Sequence, residues 1–247
     1  MHRHRCYIPD IDGTLVRVPE EQARHLVRVL RLRAGDDLQV FDGRGGEWSA
    51  RLRSVERAAV TAEIIAPCDA LPEPPTILTL AVGLLKGDQM STVIRDATAL
   101  GVAAIVPFVS DHVAVPEAAW RTRSAERWAR IAVSSATQCG RAVVPAIHDV
   151  ARFEELVDGG MYAERWMCVE PLLQEDGASE PVTTAGQAAP PPASALVLTG
   201  PEGGWSGGEW TRARDVGTHA LYLGPRTLRA EIAPAVALSV LWSRWGW

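Results

Sequence analysis

Apolar and polar positions follow two different rhythms along this chain. Over residues 19–32 the apolar positions recur at helical spacing, and residues 37–41, 47–55 and 58–65 then read as short strands. Asp42-Gly43-Arg44-Gly45-Gly46 and Glu56-Arg57 supply the turns between them. A small β-rich, barrel-like unit is predicted. After Leu71-Pro72-Glu73-Pro74-Pro75, where the prolines disfavour regular structure and stiffen a linker, the rhythm changes. Apolar runs alternate with helical patterns over residues 77–84, 88–99, 103–109 and 125–137. Such alternation predicts an α/β domain, a parallel sheet with helices on its faces. The domains are expected at residues 1–71 and 76–247.

Two further strands are predicted at residues 166–169 and 195–198, separated by a segment that fits neither rhythm. Residues 174–194, with Gly177-Ala178-Ser179 and Pro190-Pro191-Pro192, offer little to bury and are predicted to be a mobile loop outside the chemistry. The last helical pattern, residues 230–247, groups Ile232, Val236, Leu238, Val240 and Leu241 and ends in Trp242, Trp245 and Trp247. That apolar surface suits either the core or a subunit interface.

Composition narrows the class. With 247 residues and 47% hydrophobic content, the chain can bury one large core or two smaller ones. No apolar run reaches the length of about 18 residues that spans a bilayer, and Met1-His2-Arg3-His4-Arg5 lacks the apolar stretch of a signal peptide. A cytoplasmic protein without a membrane partner is expected. Cys6, Cys68, Cys139 and Cys168 are widely spaced and form no Cys-x-x-Cys pair, so they read as small buried hydrophobes and no metal is expected.

The net charge of −5 hides an asymmetry. Through Arg57, eleven Arg face nine Asp and Glu, whereas the remainder holds fourteen basic and twenty-one acidic residues. Arg28, Arg31 and Arg33, with Arg3, Arg5 and Arg44 as neighbours, form a candidate phosphate-contacting surface. A solvated helix face is the competing reading. Lys86 is the single lysine against twenty-four arginines, at a predicted strand-to-helix turn.

Most of the chemistry lies in Leu198-Thr199-Gly200-Pro201-Glu202-Gly203-Gly204-Trp205-Ser206 and Leu223-Gly224-Pro225-Arg226-Thr227-Leu228-Arg229. Each segment ends a strand-like run with Gly-Pro and leads into a helical pattern. Proline fixes φ and removes a donor, while glycine lets the chain bend sharply and a ligand approach the main chain. Ligands of open α/β sheets sit at such strand ends. One such motif alone reads as an ordinary tight turn. Two of them can converge on a nucleoside-sized ligand. No Gly-x-Gly-x-x-Gly follows a strand, which argues against a dinucleotide enzyme.

Both segments resemble the signature loops of the SPOUT-class RNA methyltransferases, specifically the ribosomal small-subunit RNA methyltransferase E family, which methylates N3 of a uridine in 16S ribosomal RNA. Similar to that family, in order, are His25-Leu26-Val27-Arg28-Val29-Leu30-Arg31-Leu32 with Gly35-Asp36 and Phe41-Asp42-Gly43. Next come Leu85-Lys86-Gly87-Asp88-Gln89-Met90 and the stretch from Ala99 to Pro107, and then Arg127-Trp128 through Gln138-Cys139-Gly140-Arg141 to Pro145. The resemblance covers nearly the whole chain. It implies a SPOUT-type parallel sheet with a C-terminal deep trefoil knot, an exception to the rule against threading, and an N-terminal PUA-like β-barrel that docks RNA. It further implies S-adenosylmethionine as cofactor, 16S ribosomal RNA or the small ribosomal subunit as partner, and a homodimer formed through the knot domain.

Carried onto this sequence, Leu198, Thr199, Gly200, Glu202 and Gly203 are expected on one side of the cofactor, with Leu223, Gly224, Leu228 and Ala230 on the other. Arg5, Arg28, Arg31, Arg33, Arg44, Lys86 and Arg141 are expected to meet RNA; for Lys86 an exposed turn residue is the plainer reading. Arg229 is expected to stabilise negative charge on the uracil oxygens. Glu202 has two readings, a proton acceptor or a cap on the following turn. Uridine N3 lies on the pairing edge, so the target base must be unpaired or flipped out. The chain departs from the family in having Ala230 and Ile232 where threonine is usual and Ala99 where glutamate is usual. A hydroxyl missing at Ala230 costs a cofactor hydrogen bond, on the order of 1 kcal/mol. Methylation of a ribose 2′-oxygen or of transfer RNA, and a noncatalytic RNA-binding relative, are the alternatives.

Overall fold

The computed structural model describes residues 4–56, 59–116, 124–170 and 188–247. Arg3, Arg57 and the greater part of the predicted loop, residues 174–187, lie outside the described residues. Two compact units divide the chain: Met1–Glu73 with Val133–Val144, and Pro74–Ala132 with Pro145–Trp247.

In the first unit, β1 (Arg5–Tyr7), β2 (Leu15–Arg17), β3 (Asp37–Phe41), β4 (Glu47–Val55) and β5 (Val60–Pro67) form one sheet in the order β1-β3-β4-β5-β2. β3, β4 and β5 are joined antiparallel, as the turns between them dictate. Alternate residues point inward: Leu38 and Val40, Ala50 and Leu52, and Val60 and Ala62 meet Cys6, Ile8, Val16, Val18 and Leu26 in one apolar cluster. β3 and β4 have the bounds their alternation predicts, while β5 starts at Val60 rather than at residue 58. β1 and β2 escape a pattern reading because three residues are too few to display a period.

The single helix expected over residues 19–32 is instead α1 (Glu20–Arg24) followed by one π-helical turn, His25–Val29. Leu30 N–H donates to His25 O, five residues back, so the turn is one residue wider than α-geometry, and Leu32 N–H reaches Leu26 O beyond it. Arg31 closes it at φ 58, the left-handed conformation usually left to glycine. The wide turn keeps Leu26 and Leu32 together in the core while Arg28, Arg31 and Arg33 face solvent.

Two arginines expected on the RNA surface are interior instead. Arg5 has 9% of its side chain exposed, lies 3.2 Å from Glu47, donates to Arg141 O and stacks on the Phe41 ring. Arg141 grips Glu73 through Nε at 2.9 Å to each carboxylate oxygen, with 8% of its side chain exposed. A buried guanidinium needs such a carboxylate to offset its desolvation, and once paired this way it is withdrawn from phosphates. Burial pushes the Arg5 guanidinium below its usual range, against the opposing pull of Glu47.

The second unit holds β6 (Ile77–Gly83), α2 (Gln89–Ala99), β7 (Ala104–Val109), the first part of α3 (Ser124–Cys139), β8 (Ala146–Ile147), β9 (Ala151–Arg152), α4 (Phe153–Asp158), β10 (Glu164–Val169), β11 (Ser194–Thr199), α5 (Gly207–Asp215), β12 (His219–Tyr222) and α6 (Ala233–Arg244). Its seven-stranded sheet runs β12-β10-β11-β6-β7-β8, with β9 also on β7. Every pairing is parallel. Strands covered on both faces read as continuous apolar runs, and Leu80, Ala81 and Val82 of β6 and Leu196, Val197 and Leu198 of β11 are fully buried. The last residues of α3 belong to the first unit, a return of the chain that the proline-rich linker does not reveal.

The order of the last three strands positions the site. β11 lies between β6 and β10, and after α5 the chain places β12 on the other flank of β10. The carboxyl ends of β10, β11 and β12 therefore stand side by side, and both Gly-Pro segments leave from them. α6 buries Ala237, Leu238, Leu241 and Trp242, and Trp242 Nε1 donates to Leu100 O at 2.7 Å. It starts at Ala233, after the expected residue 230, and leaves Ile232 and Trp247 about half exposed. Among the described residues no helix is long and apolar enough to cross a membrane.

Candidate cofactor site

A cavity of 460 Å³ opens at these three strand ends. Cys168, Val169 and Glu170 wall it from the end of β10, Gly200, Pro201, Glu202 and Trp205 from the loop after β11, and Leu223, Gly224 and residues 226–231 from the loop after β12. Gln89 of α2 and Ala233 of α6 complete it.

The loop after β11 is anchored at several points. Trp205 stacks on Phe108 with ring centroids 5.9 Å apart, and its Nε1 donates to Cys168 O at 2.7 Å. Ser206 caps α5: its Oγ accepts from Glu209 N–H while Glu209 accepts from Ser206 N–H, a reciprocal capping box. The buried Glu209 carboxylate also accepts from Asp111 N–H at 3.0 Å, and Ser206 Oγ donates to Asp111 at 2.6 Å. The His112 ring nitrogen lies 3.0 Å from Gly203 O. Gly83, at the end of β6, lets the loop pass close behind it, for a Cβ there would stand 2.6 Å from Pro201 N.

Of the residues expected at the cofactor, Gly200, Glu202, Leu223, Gly224, Leu228 and Ala230 line the cavity. Leu198 and Thr199 are fully buried in β11, behind the lining, where Thr199 Oγ1 donates to Ala81 O. Gly203 packs against His112. Arg229 lines the cavity with 82% of its side chain exposed, 3.9 Å from Glu231. Glu202 lines it as well and accepts from Lys86 N–H at 2.9 Å, so it caps the turn before α2. The Lys86 side chain is exposed.

Glu170, Gln89 and Glu231 are lining residues that the sequence reading passed over. Gln89 stands inside the family-like stretch from Leu85 to Met90, and Glu231 two residues beyond the second Gly-Pro segment. Only the rule that ligands meet strand ends points to Glu170, the residue after β10. Three carboxylates, from Glu170, Glu202 and Glu231, and the guanidinium groups of Arg226 and Arg229 thus share one cavity. Burial pushes the Cys168 thiol up to about 12, so it serves as a neutral wall. Among the described residues no group of three or more His, Cys, Asp or Glu can hold a metal.

The fold and cavity place the chain in a known class. A family model described as an RNA methyltransferase domain matches residues 72–242, and one described as an RNA methyltransferase PUA domain matches residues 18–65. The ribosomal RNA small subunit methyltransferase E of Synechocystis is 34% identical over 88% of this chain and 69% of its own length, and that of Bacillus subtilis 30% identical over 90% and 87%. The crystal structure of the same enzyme from Neisseria gonorrhoeae, bound to S-adenosyl methionine, superposes with a TM-score of 0.83 at 30% identity, covering 99% of this chain and 98% of that one. Lpg2936 of Legionella pneumophila, solved in complex with the bound cofactor SAM, gives a TM-score of 0.87 at 27% identity over 98% of both chains. The chain belongs to the ribosomal RNA small subunit methyltransferase E family of RNA methyltransferases.

Proposed function

We propose that this chain transfers a methyl group from S-adenosylmethionine to N3 of a uridine in the 16S RNA of the small ribosomal subunit. The observation that carries the reading is the cavity walled by both Gly-Pro segments, in a chain whose relatives are named ribosomal RNA small subunit methyltransferase E. Its size lies within the range of about 300 to 1,000 Å³ that encloses small ligands. Gly224, at φ 113, has nothing within 4 Å of a would-be Cβ, so open space lies directly over main chain. The cofactor joins a sulfonium and an ammonium to one carboxylate, and the cavity offers bare main chain, apolar side chains and charged groups together. When bound, it supplies an electrophilic methyl group.

The protein's own residues then orient and stabilise. Gly200, Leu223, Gly224, Leu228 and Ala230 hold the cofactor, with Leu198, Thr199 and Gly203 fixing the first loop from behind. Ala230 offers no hydroxyl there. Arg229, exposed on the cavity wall, meets the negative charge that develops on the uracil oxygens. The first unit, read as a PUA-like barrel, docks RNA through Arg28, Arg31, Arg33 and Arg44, all exposed, and in the second unit the exposed Lys86 is read as an RNA contact. The crossing of the last three strands is read as a deep trefoil knot, and the exposed Ile232 and Trp247 as part of a homodimer contact in a cytoplasmic enzyme.

The test is transfer of labelled methyl from S-adenosylmethionine to unmodified small subunits, with the product nucleoside identified by mass spectrometry. 3-Methyluridine is the expected product. A ribose-methylated nucleoside, or label on transfer RNA alone, replaces this reading with a different RNA target. Cofactor binding without transfer to any RNA indicates a noncatalytic relative.

A further inference from the structure

The proposed reaction leaves one proton unassigned. Uridine N3 carries a hydrogen that must depart as the methyl arrives, and two carboxylates on the α2 side of the cavity compete to take it, Glu202 and Glu231. Glu202 is bound to the scaffold: its Oε1 accepts from the Lys86 main-chain N–H, tying the first Gly-Pro loop to the turn before α2. Glu231 is held differently. Its Oε2 accepts from Gln89 Nε2 at 3.1 Å, and its Oε1 lies 3.9 Å from the Arg229 guanidinium. Its side chain is 17% exposed, and it lines the cavity beside the arginine assigned to the uracil oxygens.

Gln89 adds an independent sign. Its Nε2 is spent on Glu231 while its Oε1 is buried without a hydrogen-bond partner. An orphaned buried acceptor costs about 1 to 3 kcal/mol. Turning the amide would face that oxygen toward a carboxylate and lose the bond. The amide is therefore oriented for the benefit of Glu231, as a group that fixes a working side chain is.

We infer that Glu231 is the catalytic base of the reaction and that Gln89 is its positioning residue; this rests on the uridine N3 reading above. As the bond from N3 to the methyl carbon forms and the bond from that carbon to sulfur breaks, the electron pair of the broken bond stays on sulfur. The N3 proton passes to the Glu231 carboxylate and from there to water. Arg229, next to both, offsets the charge that the uracil carries in between.

Glu231→Gln, Glu202→Gln and Gln89→Met are compared with the wild type on the full chain, using small subunits as substrate. Cofactor affinity is read by calorimetry and single-turnover rate as a function of pH. Glu231→Gln is expected to bind S-adenosylmethionine within about threefold of wild type yet to lose about 100-fold or more in rate. Its rate should climb roughly tenfold per pH unit, because hydroxide must now remove the proton. Gln89→Met should lower the rate less and keep the wild-type pH profile, and Glu202→Gln should keep the profile too. A Glu231→Gln rate within about threefold of wild type overturns the assignment, as does a loss with the wild-type pH profile or a loss of cofactor binding. If wild type forms no 3-methyluridine, the N3 reading and this one fall together; if it does and only the variant result disagrees, Glu231 alone is wrong.

Discussion

Arginines do opposite work in the two units. In the first, Arg5 and Arg141 are buried against Glu47 and Glu73 and hold strands and loops together. In the second, Arg229 keeps 82% of its side chain in solvent on a cavity wall, beside a carboxylate 3.9 Å away. The residue type is the same, and Arg141 and Arg229 both stand inside stretches similar to the family. What separates them is the partner. A guanidinium closed over by a carboxylate and an aromatic ring is a structural cross-link, whereas one left exposed beside other charged groups is available to a ligand.

The largest expected effect comes from breaking the structural side of that contrast. Glu47→Ala leaves Arg5 buried and unpaired, which should cost about 3 to 5 kcal/mol. Hydrogen exchange of β3 to β5 should show that loss while β6 and β11 keep their protection. Equal loss in both units would mean that the Arg5 pair is not local to the first. Gly83→Ala comes next. Its methyl group would sit 2.6 Å from Pro201 N, backbone that cannot swing aside, so about 1 to 3 kcal/mol of strain should pass to the first Gly-Pro loop. Cofactor titration should find roughly tenfold weaker binding, and unchanged affinity would free the loop from β6.

Ala230→Thr is a smaller change with the opposite sign. Restoring the hydroxyl usual in the family should tighten cofactor binding by about 1 kcal/mol, near fivefold. A weaker or equal affinity would show that position 230 makes no such bond here. The smallest effect concerns Cys168. Burial pushes its thiol up to about 12, above the usual 9.0, so the neutral form is favoured by folding. That stabilisation is complete below about pH 9 and fades as pH rises toward 12. Alkylation at pH 8 should therefore be slow in the native chain and fast in urea; fast native labelling would mean that the cavity wall opens.

How much of this was legible in the sequence depended on whether the signal was local. β3 and β4 are long enough to show alternation, β6 a continuous apolar run and α2 helical spacing, so their positions were legible. β1 and β2 are too short for that, and the π turn at His25–Val29 looks helical to any periodicity argument. The two Gly-Pro segments marked the cavity because a strand end needs those residues to bend and expose main chain. Glu231 and Gln89 were not legible as cavity residues, since nothing local distinguishes a carboxylate or amide at a cavity from one in solvent, and Glu170 was marked only by its place after a strand end. Arg5 and Arg141 were read as surface groups for the same reason: Glu47 and Glu73 lie 42 and 68 residues away in the chain.

The central claim is that the two Gly-Pro segments form a cofactor site, and calorimetric titration of S-adenosylmethionine into wild type and Gly224→Val tests it most directly. Gly224 lines the cavity at φ 113, where a β-branched side chain is strained and alters the wall of the site. Saturable binding at one site per chain in wild type, weakened about 100-fold or more in a folded Gly224→Val variant, is the predicted result. Equal binding to both chains would place the cofactor elsewhere, and the account of the cavity would be contradicted.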